Sequence, residues 1–135
     1  MKLLPCMVLV LILGLNPGAL QQASPSGLGS DRVILVFAPD ADDRRLAILA
    51  ADRARLACDL ANRQIVIEVV AGAETHRQRS LREAHGVPAE AFVALLIGKD
   101  GGEKRRAFGT VDLAAMMDLI DTMPMRRAEQ QAGPE

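Results

Sequence analysis

The sequence predicts an α/β fold, a four-stranded mixed sheet with helices on both faces. Two apolar runs at positions 33–38 and 64–70 indicate buried strands, and a segment of helical periodicity separates them. A third apolar run at 92–97 leads through Asp100-Gly101, a hairpin signal, into a fourth strand at 103–108. The predicted order is therefore β-α-β-α-β-β-α, in which a right-handed crossover joins a parallel pair and a hairpin follows.

The helix between the first two strands is predicted to run from about Ala41 to Asn62. Asp40 is its predicted N-cap, since a short carboxylate can accept from the first free N–H groups. Asp42 and Asp43 then place negative charge in the first turn, where the helix dipole favours it. Most apolar residues of this segment fall on one helical arc, which predicts packing against the sheet.

The two later helices are predicted from their end signals. A charged and mostly exposed helix should cover residues 74–85 and stop at Gly86. Thr110 is the predicted cap of a last helix, which Pro124 should end. The polar residues 128–135 are then expected to form a disordered tail.

The first 23 residues indicate a secretory signal peptide. Lys2 provides a positive start, residues 7–15 an apolar stretch, and small residues suggest cleavage near Ala19 or Ala23. The apolar run is shorter than the roughly 18 residues that a membrane-spanning helix needs. We therefore expect no membrane span after signal cleavage, with an uncleaved anchor as the alternative.

Signal cleavage predicts a protein of the periplasm or the cell exterior. A flexible leader at residues 24–30 would precede a single folded domain at 31–127. The chain has two cysteines, and Cys6 would leave with the signal peptide. Cys58 is therefore expected to be a free thiol, without an internal disulfide.

Composition excludes several partners and reactions. The formal net charge is −1, and the chain has three phenylalanines but no tryptophan or tyrosine. It therefore lacks the basic surface and the stacking groups of a nucleic-acid-binding protein. No phosphate-binding loop, dinucleotide fingerprint or Ser/His/Asp order is present, so we predict no catalytic residue and no cofactor.

Three sequence stretches carry a specific resemblance: "VILVFAPDADDRRL", "VALLIGKDGGEKRR" and "LIDTMPMRR". In this order they are similar to the DUF4174 family, thioredoxin- or peroxiredoxin-like domains of unassigned function. The resemblance covers residues 31–127 and implies a thioredoxin-like fold in an exported protein.

The departures from redox-active thioredoxins bear on function. Active thioredoxins place a C-x-x-C pair at the start of the first helix, where the helix end lowers the pKa of one thiol. Here Asp40-Ala41-Asp42-Asp43 occupies that place, and Val93 falls where the resemblance implies a cis-proline. We therefore predict a non-catalytic binding or accessory module whose partner is a protein or another envelope component.

The alternative is a thiol-dependent oxidoreductase or peroxidase that works through Cys58 alone. Because this cysteine lies near the end of the long predicted helix, the positive helix end cannot activate it. We expect an inert thiol that is buried or half-buried.

The candidate interaction surface combines an acidic turn with a basic run. Its residues are Asp40, Asp42, Asp43, Lys104, Arg105 and Arg106. The aspartates could instead cap the helix or bind Ca²⁺, and the basic run could protect a sheet edge from pairing or meet an acidic partner. His76 and His85 are nine residues apart, which is not the i, i+4 spacing that places two imidazoles on one helical face, so no metal site is predicted.

Overall fold

The computed structural model describes residues 31–132, and the predicted signal peptide and leader lie outside them. Four strands form one sheet in the order β2-β1-β3-β4. The strands are β1 (Arg32–Ala38), β2 (Ile65–Ala71), β3 (Val93–Ile97) and β4 (Glu103–Phe108). β1 is parallel to β2 and antiparallel to β3, which is antiparallel to β4. The mixed sheet predicted from the sequence is confirmed.

Five helices complete the described part of the chain. They are α1 (Arg44–Arg55), α2 (Ala57–Asn62), α3 (His76–His85), α4 (Leu113–Asp121) and α5 (Pro124–Ala132). None of the helices within residues 31–132 has both the length and the apolar character needed to cross a membrane.

The core lies on both faces of the sheet. One face carries Ile34, Val36 and the alternate residues of neighbouring strands, and α1, α2 and α4 pack on it. The other face carries Leu35 and Phe37, where Leu81 of α3 and the following Val87 pack. Because β1 is central, both sets of its side chains are buried, which explains its continuous apolar sequence.

The crossover from β1 to β2 contains two helices, so the prediction of one helix from Ala41 to Asn62 is wrong. Asp40 closes a turn by accepting the Asp42 N–H at 2.9 Å. The first helix consequently begins after Asp43, and Asp43 rather than Asp40 is its N-cap. The helix path breaks at Leu56, whose φ of −103° and ψ of 15° separate α1 from α2.

The predicted helix before Gly86 is confirmed as α3. Thr75 accepts the Gln78 N–H at 3.1 Å, and the Gln78 side chain accepts the Thr75 N–H at 3.0 Å. This reciprocal capping box fixes the helix start. Gly86 ends the helix with φ 65°, a left-handed conformation that glycine adopts without a steric penalty.

The C-terminal region differs most from the prediction. Asp112, not Thr110, caps α4 by accepting the Ala115 N–H at 3.0 Å. Pro124 follows the end of α4 but is also the first residue of α5, a position where its missing N–H costs nothing. The predicted disordered tail is wrong for residues 128–132, which belong to α5.

Helix α5 is held to α2 and to the sheet by charged side chains. Its Arg126 is 6% exposed and donates to the Asn62 carbonyl at 3.0 Å. Its Glu129 accepts from Arg32, the first residue of β1, at 3.0 Å and from Lys99 at 2.7 Å. These contacts explain why a polar segment forms an ordered helix.

Candidate functional site

The candidate site is the junction between β1 and α1, where active thioredoxins carry their cysteines. The chain leaves the buried end of β1 at Ala38 and forms an exposed turn at Asp40 and Asp42. Asp43 is partly buried, with 11% of its side chain exposed. The junction thus presents three carboxylates, of which two face solvent.

Asp43 is fully engaged in local contacts. One carboxylate oxygen accepts the Arg45 backbone N–H at 3.0 Å and its Nε at 2.8 Å. The other oxygen accepts Nη2 of the same arginine at 2.7 Å. The Arg45 side chain is the main reason that the pKa of Asp43 falls to about 2. Asp43 is therefore charged throughout the physiological range and serves as a cap and an ion-pair partner.

The same arginine connects the junction to β3. Its guanidinium carbon lies 4.2 Å from the centroid of the buried Phe92 ring, which is cation–π geometry. Phe92 directly precedes Val93, the position where the resemblance implies a cis-proline. No peptide bond within residues 31–132 is cis. The contact of Arg45 with Phe92 thus connects the junction to the residue that precedes β3.

Arg82 of α3 lies at the same end of the sheet and was not predicted as a site residue. It is only 4% exposed, and its guanidinium lies 5.5 Å from the centre of the Phe37 ring. It donates to the carbonyls of Ala38 at 2.6 Å and Gly72 at 2.9 Å, and also to that of Pro88. A single side chain therefore binds the ends of β1 and β2 to the loop after α3.

Burial lowers the pKa of Arg82, although Glu90 opposes this shift. In the described part of the chain no carboxylate forms an ion pair with this guanidinium, so carbonyl oxygens compensate its charge. Nothing in the sequence distinguishes Arg82 from the exposed arginines of the same helix. Its role follows from the approach of three backbone segments, which residue patterns do not show.

The basic run lies on β4, which forms an edge of the sheet as predicted. Lys104 pairs with Asp100 at 2.7 Å. Arg106 pairs with Glu103 at 2.8 Å and donates to the His85 carbonyl at 2.7 Å. Arg105 is exposed, so most of the positive charge is compensated within the chain.

The structure does not bring the acidic turn and the basic run together. The strand register aligns Leu35 of β1 with Leu95 of β3 and Arg106 of β4. Arg106 therefore lies two strands away from β1 and below its end, while the turn continues beyond that end. The two charged segments are separate surfaces.

The histidines and aspartates form no metal site in the described region. His76 contacts Ser80 at 3.4 Å, whereas the ring centroids of His85 and Phe37 lie 6.0 Å apart. Within residues 31–132, no group of three or more His, Cys, Asp or Glu residues could hold a metal ion. The Ca²⁺ alternative for the acidic turn has no geometric support.

Cys58 lies on α2, away from the junction in sequence, and it is exposed rather than buried. It is disulfide-bonded, and no cysteine within residues 31–132 is free. The expectation of a free thiol is therefore wrong for this structure. That expectation rested on the loss of Cys6 with the signal peptide, and Cys6 lies outside the residues that the structure describes.

A comparison with protein families identifies the family of this chain. The model of the domain of unknown function DUF4174 matches residues 27–129. The chain belongs to the DUF4174 family. No curated protein matches this DUF4174 chain.

Solved structures similar to this DUF4174 domain include two thioredoxin-like proteins. An exposed lipoprotein thioredoxin from Streptococcus pneumoniae shares 13% identity at a TM-score of 0.54, over 71% of this chain and 87% of that one. A thioredoxin candidate from Neisseria meningitidis shares 19% identity at a TM-score of 0.50, over 74% of this chain and 79% of that one. At these identities the likeness establishes the thioredoxin-like fold and nothing about activity.

Proposed function

We propose that this DUF4174 protein is a non-catalytic binding or accessory module. The observation that carries the proposal is the chemistry of the β1–α1 junction. Residues 40–43 contain no cysteine, and the carboxylate of Asp43 is occupied by Arg45. Disulfide exchange requires a thiolate that attacks a sulfur atom, and a carboxylate cannot replace it.

The surroundings of the junction support the same proposal. Arg45 packs over Phe92, and the Arg82 guanidinium donates hydrogen bonds to carbonyls at the ends of β1 and β2. Both arginines make contacts that hold neighbouring segments in place. The junction therefore has the features of a stable surface, with the carboxylates of Asp40 and Asp42 exposed on it.

We further propose that the protein acts in the periplasm or outside the cell, on a protein or another envelope component. The support is the predicted signal peptide at residues 1–23. Fractionation of cells that express the full chain should recover a shortened product outside the cytoplasm. Recovery of only the full-length chain in the cytoplasm would contradict export.

The enzymatic test compares the purified protein with thioredoxin in two assays, insulin reduction with a dithiol and peroxide turnover. We expect no activity above the protein-free rate in either assay. Activity in either assay would overturn the non-catalytic proposal.

A matched pair of variants tests whether the missing cysteines explain the expected lack of insulin reduction. Asp40→Cys combined with Asp43→Cys restores a C-x-x-C spacing at the junction. We expect this double variant to reduce insulin, whereas Asp40→Ser with Asp43→Ser should remain inactive. Equal activity of the cysteine and serine variants would show that the missing cysteines at the junction do not explain the inactivity.

A further inference from the structure

The outer edge of β2 offers backbone groups for pairing. The Arg32 N–H donates to the Gln64 carbonyl at 2.8 Å, and the Gly72 N–H donates to the Ala38 carbonyl at 2.9 Å. In a parallel ladder every second residue faces the same neighbour, so residues 66, 68 and 70 turn toward β1. The N–H and C=O groups of residues 65, 67, 69 and 71 consequently point away from the sheet.

The last of these outward carbonyls, that of Ala71, is already hydrogen-bonded within the chain. The Ala71 carbonyl accepts from Nε2 of Gln78 at 2.9 Å. In the described part of the chain no strand pairs with the outer side of Ile65, Ile67 and Val69. Val69 is 42% exposed. An apolar edge of this kind is an efficient template for another strand.

The opposite edge of the sheet is protected by charge. β4 carries Lys104, Arg105 and Arg106 in succession, and antiparallel pairing of two β4 strands would place cations opposite cations. β2 has a single charged residue, Glu68, which forms an ion pair with Arg77 of α3. Within residues 31–132, charge therefore opposes self-association at β4, whereas no such charge opposes it at β2.

In one register, two antiparallel β2 strands pair their outward backbone groups and keep their two Glu68 side chains apart. With a two-fold axis at Ile67, Ile65 of one copy pairs with Val69 of the other, and all three outward residues exchange hydrogen bonds. Glu68 then faces Val66 of the second copy. The neighbouring register, centred on residue 68, would oppose two glutamates directly.

We propose that a second copy of this chain binds at the β2 edge, antiparallel and centred on Ile67. The two four-stranded sheets become one continuous sheet across the two-fold axis. The apolar side chains of Ile65 and Val69 meet across the junction on the face covered by α1 and α2. This inference is independent of the proposed lack of catalysis.

The test measures the molar mass of the purified full chain by light scattering over a range of concentrations. We expect the mass to rise from the 14.5 kDa of one chain toward twice that value. Val69→Lys should raise the dissociation constant at least about tenfold, since it places a charge in the apolar contact with Ile65. Circular dichroism confirms that each variant is folded.

Phe108→Lys is the matched control. Phe108 is 71% exposed at the end of β4, and its substitution should leave the dissociation constant unchanged. Hydrogen exchange gives a second readout, because the amides of residues 65, 67 and 69 should exchange more slowly at high protein concentration. A constant single-chain mass, equal weakening by both substitutions, or concentration-independent exchange at these amides would each overturn the proposal.

Discussion

Glu129→Gln tests how helix α5 is held to the sheet. The Glu129 carboxylate accepts two bonds from the Arg32 guanidinium, at 3.0 and 3.3 Å, and one from Lys99 at 2.7 Å. The side chains of these two cations are only 2% and 8% exposed. The substitution leaves two buried positive charges without their shared anion.

The magnitude follows from the burial of the partners. Removing one member of a buried ion pair costs about 3–5 kcal/mol. Glu129 itself is 26% exposed, and Arg32 keeps a bond to the Arg63 carbonyl at 2.8 Å. Both facts reduce the cost, so we expect a loss of about 2–3 kcal/mol, which lowers the melting temperature on the order of 10 °C.

Urea unfolding followed by circular dichroism measures this loss. The matched control is Glu68→Gln, the same change in an ion pair whose Arg77 side chain is 63% exposed. The control should cost less than about 1 kcal/mol. If the two substitutions cost the same, the buried cations are compensated by solvent and our account of α5 is wrong.

Three further predictions address pH and the junction. Burial alone would raise the pKa of Glu129, but the hydrogen bonds from Arg32 and Lys99 outweigh it and hold the pKa below the ordinary 4.5. The stability that Glu129 contributes is complete above pH 4.5 and is lost as the pH falls through the folded-state pKa. Acid unfolding of Glu129→Gln should therefore depend less on pH than acid unfolding of the unmodified protein. Arg82→Ala should cost about 2–4 kcal/mol in urea unfolding because it removes the hydrogen bonds of a buried guanidinium to three backbone carbonyls. Arg79→Ala on the exposed face should cost under about 1 kcal/mol, and equal costs would show that Arg82 does not hold these backbone segments together. Asp43→Ala should lower the melting temperature through loss of the cap and of the Arg45 contact, while Asp40→Ala should lower it less, and the reverse order would show that Asp40 is the working cap.

The strands could be predicted because their signals are local. The continuous apolar sequence of β1 marks a central strand, and Asp100-Gly101 marks the hairpin before β4. Gly86 likewise marks the end of α3 because few residues other than glycine adopt its left-handed conformation. Each of these features depends on a few neighbouring residues.

The errors had two sources, contacts between elements distant in sequence and the choice among neighbouring N-cap residues. Pro124 indicates a helix end from sequence alone, yet it starts α5 because Arg126 and Glu129 bind residues of other elements. Asp43 rather than Asp40 is the N-cap because the Asp40 carboxylate accepts the Asp42 N–H in a turn that precedes the helix. Several aspartates in succession leave the choice of cap open until the turn is known.

The candidate site was predicted in position but not in its contacts. The absence of cysteine at residues 40–43 is visible in the sequence, and the structure adds the pairing of Asp43 with Arg45. Arg82 was missed because its partners are backbone carbonyls, which carry no residue signature. The separation of the acidic turn from the basic run required the strand register.

The docking of α5 has a practical consequence for anyone who shortens this protein. A fragment cut after Arg127 would contain the whole domain predicted from the sequence, yet it would lack Glu129. The buried guanidinium of Arg32, at the start of the central strand, would then lose its carboxylate partner. Such a fragment should express poorly or unfold early. Any recombinant version should therefore retain the residues through Ala132.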